Sequence, residues 1–248
     1  MERRTLLTSL LALASVGTAK AQTKPIVLLA GATGKNGSVI LAALKKSPYQ
    51  VRAMSRNATE AAAKFGKDVE WVSADVTKPE TLPAALKGVT YVIDAVAARG
   101  KEGQDSPESV DLGGTKNLAA AAKAAGVKRL VIITSSVSGE VDNPLNKIAG
   151  NVIIFKGKAE EALIASGIEY TIIGPGGMNN DPGGKLDIKV LPRAEYVKNT
   201  WITREDTALV AIESLTNPGA ANKAFSIVNG DGPATGAWKQ AFARMPAK

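Results

Sequence analysis

The chain has 248 residues, 45% of them hydrophobic, and 31 basic against 23 acidic side chains give a formal charge of +8. The apolar share excludes disorder, and the length suits one α/β domain with no linker or internal repeat dividing it. Cys and His are both absent, which excludes disulfides, thiol nucleophiles and thiolate or imidazole metal sites. No metal site is expected. The basic residues are scattered and not interleaved with aromatics, so they suit a basic cofactor groove and solubility, not nucleic acid.

Met1–Thr5 is short and basic, Leu6–Val16 is apolar, and Ala19-Lys20-Ala21 places small residues where a signal peptidase reads. This is the layout of a secretory signal over residues 1–21, ahead of a single domain over 22–248. Arg3-Arg4-Thr5-Leu6-Leu7 is similar to a twin-arginine export motif, with Glu2 where that motif usually has Ser or Thr. The expectation is export to the periplasm, with no stable membrane insertion after cleavage. An uncleaved N-terminal anchor or a cytoplasmic protein is the alternative.

Beyond that segment, β-branched apolar runs alternate with helical periodicity, the pattern of a parallel sheet covered on both faces. Strands are predicted at 26–30, 50–55, 69–73, 90–95, 128–134, 169–173 and 224–228. Helices are predicted at 37–46, 59–65, 79–86, 109–125, 151–166 and 203–215. Gly126 and Gly167 read as helix stops and Thr203 as an N-cap. The Gly- and Pro-rich stretch 174–185 reads as a long loop past a strand's C-terminal end, where open α/β sheets bind ligands.

The first strand runs into glycines at 31, 34 and 37. Gly31 allows a tight turn, Gly34 a close backbone approach to phosphate, and Gly37 close packing of helix on strand. The second strand ends Met54-Ser55-Arg56-Asn57 with no acid for a ribose 2′-hydroxyl. Arg56, with Lys35 nearby, therefore suits the 2′-phosphate of NADP better than NAD. Arg56 also reads as a solvated loop residue. Asp75-Val76 follows the third strand where adenine would lie, and Asp75 equally suits a helix-capping turn.

In order along the chain, G-A-T-G-K-N-G (31–37), V-R-A-M-S-R-N (51–57), A-D-V-T (74–77), G-V-K-R-L-V-I-I-T-S-S (126–136), K-G-K-A-E-E-A-L-I-A-S-G-I-E-Y-T-I-I-G-P-G-G-M (156–178) and I-T-R-E-D-T-A (202–208) stand out. Together they resemble the atypical short-chain dehydrogenase/reductases, the NmrA-like single-domain NAD(P)-binding proteins. The resemblance implies a Rossmann-type, doubly wound, three-layer αβα fold with strand order 3-2-1-4-5-6-7. It implies that Gly31, Thr33, Gly34, Lys35, Asn36 and Gly37 hold a pyrophosphate, and that Ser55, Arg56 and Asn57 take the adenosine phosphate. Ala95, Val96 and Ala97 would line the ribose and adenine side, Lys158 would bind the nicotinamide ribose, and Pro175, Gly176, Gly177 and Met178 would pack on the nicotinamide.

Two departures stand beside it. Counting back four residues from Lys158 gives Ile154 where better-known relatives carry a proton-donating Tyr, and Gly174 replaces an Arg that often precedes the Pro-Gly pair. Ser135 and Ser136 stand where a catalytic serine would be. Ser135 and Lys158 are the catalytic candidates, although Ser135 equally reads as a hydrogen-bond partner. Lys156 reads as an acid or as a solvated surface residue.

The function expected is NADPH-dependent reduction of a small quinone-like or carbonyl acceptor by a monomer or homodimer. A non-catalytic NADP(H) redox sensor and an epimerase or isomerase are the alternatives. Export would require the cofactor to be loaded beforehand.

Overall fold

The computed structural model describes residues 24–247, so the expected signal at 1–21 lies outside the described residues. The chain order is β1 (Ile26–Ala30), α1 (Lys35–Leu44), β2 (Gln50–Ser55), α2 (Ala58–Phe65), β3 (Glu70–Ser73), α3 (Leu82–Leu86), β4 (Tyr91–Asp94), α4 (Gly114–Ala124) and β5 (Arg129–Ile133). It continues with α5 (Pro144–Ile148), α6 (Val152–Ser166), β6 (Tyr170–Pro175), β7 (Gly177–Asn179), β8 (Leu186–Leu191), β9 (Trp201–Thr203), α7 (Arg204–Glu213), β10 (Lys223–Pro233) and α8 (Trp238–Ala241).

Eight strands form one sheet in the order β3-β2-β1-β4-β5-β6-β10-β8. All its pairings are parallel except β10 with β8. The fold is a Rossmann-like αβα sandwich, and the seventh predicted strand is β10. The antiparallel edge strand β8 was not predicted. Neither were α5, α8 and the separate two-stranded pair β7–β9. The stretch read as a loop at 174–185 in fact contains the end of β6 and all of β7.

The alternation of side chains along β1 makes the two-sided packing explicit. Val27 and Leu29 join a core with α1, α7 and the C-terminal Phe242, whereas Leu28 and Ala30 join a second core with Leu82, Leu118 and Leu163 from α3, α4 and α6. Each fully buried Leu contributes about 1.5–3 kcal/mol. Residues of both faces are buried because helices cover both, and the central strands therefore read as unbroken apolar runs.

Punctuation is local. Gly126 and Gly167 adopt φ of +73° and +70° after α4 and α6. Thr203 Oγ1 accepts a hydrogen bond from the Asp206 amide at 2.9 Å and caps α7. The helix predicted at 109–125 begins instead with a π-helical turn over Glu108–Gly113. This widened turn directs Asp111 inward, where its carboxylate accepts from the Ala98 amide at 3.1 Å. Among the described residues no helix is long and apolar enough to cross a membrane.

Candidate active site

The site begins as bare backbone. Gly31 has φ of +76°, and a Cβ there would lie 2.8 Å from the Ala95 carbonyl carbon. A Cβ on Gly37 would fall on the Gly31 carbonyl group. The three pieces of main chain meet because no side chain intervenes, and Gly37 lies behind the turn as a packing residue. The Gly34 amide closes the turn onto the Gly31 carbonyl at 2.9 Å. Gly34 then starts α1 with no side-chain cap and no acid in the first turn. The open amides and the helix dipole together favour an anion at this point.

A groove of about 720 Å³ runs from this turn across the C-terminal ends of β1, β2 and β4. Of the residues singled out in the sequence, Gly31, Thr33, Gly34, Lys35, Asn36, Ser55, Arg56, Asn57, Asp75, Val76, Ala95, Val96, Ala97 and Met178 line it. Sequence reasoning missed Met54, Glu60, Lys64, Phe65, Arg99, Asp105 and Arg204, which line it as well. Five cations and three carboxylates border the groove, so an elongated anion fits its charge.

At the β2 end, two of the expected phosphate ligands are occupied in shaping the turn. Asn57 Oδ1 accepts from the Glu60 amide at 3.1 Å and its Nδ2 donates to Glu60 Oε2 at 3.2 Å, a reciprocal cap of α2. Ser55 Oγ accepts from the Asn57 amide at 3.2 Å. Arg56 is exposed and reaches across the groove to Asp105, Nη1 to Oδ1 2.7 Å. Asp75 adopts the capping turn, its Oδ1 accepting from the amide and hydroxyl of Thr77 at 2.9 and 2.8 Å, while still forming groove wall.

Beneath the β4 loop lies a buried charged cluster. Asp94 Oδ1 accepts from the Val96 amide at 3.0 Å, and Asp111 Oδ1 accepts from Lys156 Nζ at 2.6 Å. Burial pushes the Asp94 carboxyl up to about 6, opposed by the Val96 amide and the Lys156 charge and reinforced by Asp111. The cluster holds the backbone of residues 95–98, the wall of the groove.

Several expected ligands stand elsewhere. Lys158 is exposed and outside the groove, its Nζ 5.3 Å from the Phe155 ring centroid. Two helical positions turn a side chain by about 200°, so it is Lys156 that faces inward. The surface reading of Lys156 is thereby corrected. Ser135 Oγ accepts from the Val137 amide at 3.3 Å, a local turn, and Ser135 does not line the groove. Ser136 Oγ donates to the Gly174 carbonyl at 2.6 Å. Pro175, Gly176 and Gly177 are main-chain connectors, with the Gly176 and Gly177 amides donating to Ile227 and Thr200 carbonyls at 3.0 and 2.9 Å. In that segment only Met178 reaches the groove, because β7 alternates its faces and Gly177 turns away against the Trp201 ring.

The missing arginine at 174 has a counterpart. The Arg193 guanidinium, entering from the turn after β8, occupies the space a side chain at 174 would need. It donates to the Ser135 carbonyl and the Thr134 hydroxyl, and pairs with the buried Glu160 carboxylate at 2.7 Å. At the other end of Met178, Arg204 Nε donates to Asn36 Oδ1 at 3.0 Å and Nη1 to Asn180 Oδ1 at 2.8 Å, joining the glycine turn to the segment after β7. Its signal was the I-T-R-E-D run (202–206), read only for its helix start.

A family model described as NAD(P)H-binding matches residues 31–218, and the chain belongs to that NAD(P)H-binding family. An uncharacterized sugar epimerase, YhfK, of Bacillus subtilis strain 168 is 32% identical over 86% of this chain and 99% of its own. Sanguinarine reductase of Eschscholzia californica is 30% identical over 90% of this chain and 96% of its own. Among solved structures, the oxidoreductase ylbE of Lactococcus lactis is similar at a TM-score of 0.72 and 26% identity, covering 88% of this chain and 95% of that one.

Proposed function

We propose that the chain is an NADPH-dependent reductase of a small planar, quinone-like or carbonyl acceptor. The observation that carries this reading is the groove itself, a main-chain floor at Gly31 and Gly34 whose wall carries Arg56 where the adenosine ribose would lie. The fit to a dinucleotide rests on steric and electrostatic grounds. Added Cβ atoms would invade the turn, the first-turn amides of α1 are uncapped, and cations outnumber carboxylates. When bound, the reduced nicotinamide supplies a hydride to the acceptor, which must also gain a proton.

The Gly31–Asn36 turn would hold the pyrophosphate, Arg56 the 2′-phosphate, and Ala95–Ala97 the adenosine face. Met178 and Arg204 would flank the nicotinamide half. Val152 stands four residues before Lys156 and Ile154 four before Lys158, so neither lysine follows a tyrosine at that spacing. The proton would come from water, because Lys156 Nζ is paired with buried Asp111 beneath the β4 loop and does not line the groove. An acceptor whose reduced form is already stable as an anion suits such a site.

A relative named as a reductase supports redox chemistry. One named as an epimerase, matched over 99% of its own length, supports a second reading. Export of a preloaded protein remains part of the proposal, from residues 1–21. Titration of the full-length protein with NADPH and NADH, followed by steady-state NADPH oxidation with quinones and dicarbonyls, tests the reading. NADPH binding with acceptor-dependent turnover supports it. Binding without turnover supports the sensor, and conversion without net cofactor change supports the epimerase.

A further inference from the structure

The cation that would choose the phosphorylated cofactor is already engaged. Arg56 Nη1 lies 2.7 Å from Asp105 Oδ1, and both side chains line the groove from opposite walls, at the tip of β2 and in the loop after β4. The two residues are 49 positions apart, so the contact is made by the fold and not by local sequence.

Asp105 is not on a loose loop. It ends a 3₁₀ turn over Gly103–Asp105 whose backbone is braced, with the Gly100 amide donating to the Asp105 carbonyl at 3.0 Å and the Ser109 hydroxyl to the Gly103 carbonyl at 2.9 Å. The backbone that carries the carboxylate is therefore held beside Arg56. A phosphate dianion entering beside Arg56 meets two costs: it must displace a carboxylate from a guanidinium it prefers to grip with two hydrogen bonds, and it must approach a like charge. A ribose 2′-hydroxyl meets neither.

We propose that Asp105 sets the choice between NADPH and NADH, by holding the Arg56 guanidinium across the groove so that a 2′-phosphate has to displace it. The proposal rests on the reading that Arg56 takes the adenosine phosphate, and it predicts a narrower preference for NADPH than an unpaired arginine would give. Both partners are about half exposed, 54% and 52%, so the pair is worth a few-fold in affinity, not orders of magnitude.

Calorimetric titration of the full-length wild type, Asp105→Asn, Arg56→Ala and the double variant with NADPH and NADH tests it, with thermal melting of each protein recorded alongside. 2′,5′-ADP and 5′-AMP are titrated as probes of the adenosine end alone. Asp105→Asn is expected to bind NADPH and 2′,5′-ADP about fivefold more tightly, with NADH and 5′-AMP unchanged or weaker. That gain should vanish in the Arg56→Ala background and shrink at high salt. Asp105→Ser carries the same expectation should the Asn variant melt early. If Arg56→Ala weakens NADPH while neither Asp105 variant tightens it, the proposal falls and the NADPH reading stands. If Arg56→Ala leaves NADPH binding unaltered, both fall together.

Discussion

Gly174→Ala puts the Arg193 exchange to a direct test. Gly174 is not among the positive-φ residues, so its backbone accepts Ala without strain and any cost must come from contact. The new Cβ would fall on Arg193 Nη1, 2.5 Å from Cζ, and would sit 2.8 Å from the Ser135 carbonyl oxygen. The guanidinium can retreat only by leaving Glu160, whose side chain is 4% exposed. Overpacking costs about 1–3 kcal/mol, and breaking a buried ion pair about 3–5 kcal/mol. Since Arg193 is itself 19% exposed, water takes up part of the lost pairing and lowers its cost to about 2 kcal/mol, which with about 1 kcal/mol of overpacking gives a total near 3 kcal/mol. Urea unfolding at pH 7 measures it: with an m of about 2–3 kcal/mol/M, the midpoint falls by roughly 1 M. Arg193→Met alone should cost about as much. The double variant should lose about 2 kcal/mol less than the sum, because the guanidinium can be lost only once. An unmoved midpoint for Gly174→Ala, or strict additivity in the pair, would refute the exchange.

The inward lysine gives a second expectation: Lys156→Gln strips buried Asp111 of its cation and should cost about 3 kcal/mol in urea unfolding, whereas Lys158→Ala should leave NADPH affinity within about twofold by titration, since its ammonium stands outside the groove. Asp94 gives a pH signature. Its carboxyl is raised from 3.8 to about 6 in the folded chain, so the native state binds the extra proton and stability falls as pH rises from about 4 to about 6. The full loss, about 2–3 kcal/mol, is present at pH 7, and urea midpoints between pH 4 and 7 should lose that slope in Asp94→Asn. Finally, Gly37→Ala drives a Cβ to 2.7 Å from the Gly31 carbonyl carbon and should abolish dinucleotide binding in calorimetry while costing at least about 3 kcal/mol in urea unfolding.

Much of the scaffold was readable because buried parallel strands and glycine turns leave direct marks. Ile26–Ala30 is an apolar run ending in Gly31, and nothing but the turn explains three glycines at that spacing. The edge was less visible. Leu186–Leu191 alternates like a half-buried strand, but it follows a Gly- and Pro-rich stretch that hides its start. On α6 the apolar residues Val152, Ile153, Ile154 and Phe155 run consecutively, so periodicity does not say which lysine faces the sheet. Only the π-helical turn that brings Asp111 beneath the β4 loop decides between 156 and 158. Arg193 and Asp105 were invisible for a common reason. Each acts on a residue far away in sequence, 33 positions for Arg193 with Glu160 and 49 for Asp105 with Arg56, and short-range pattern carries no trace of such pairs.

Where Gly31, Gly37 and Ala95 touch, the contact is peptide against peptide, with nothing that ordinary point substitution can gradually resize. Variation is therefore channelled to the rim, where Arg56, Arg99 and Asp105 can each be exchanged without disturbing the floor. Lineages sharing this architecture are free to diverge in which small molecule they accept long before they lose the capacity to grip a diphosphate.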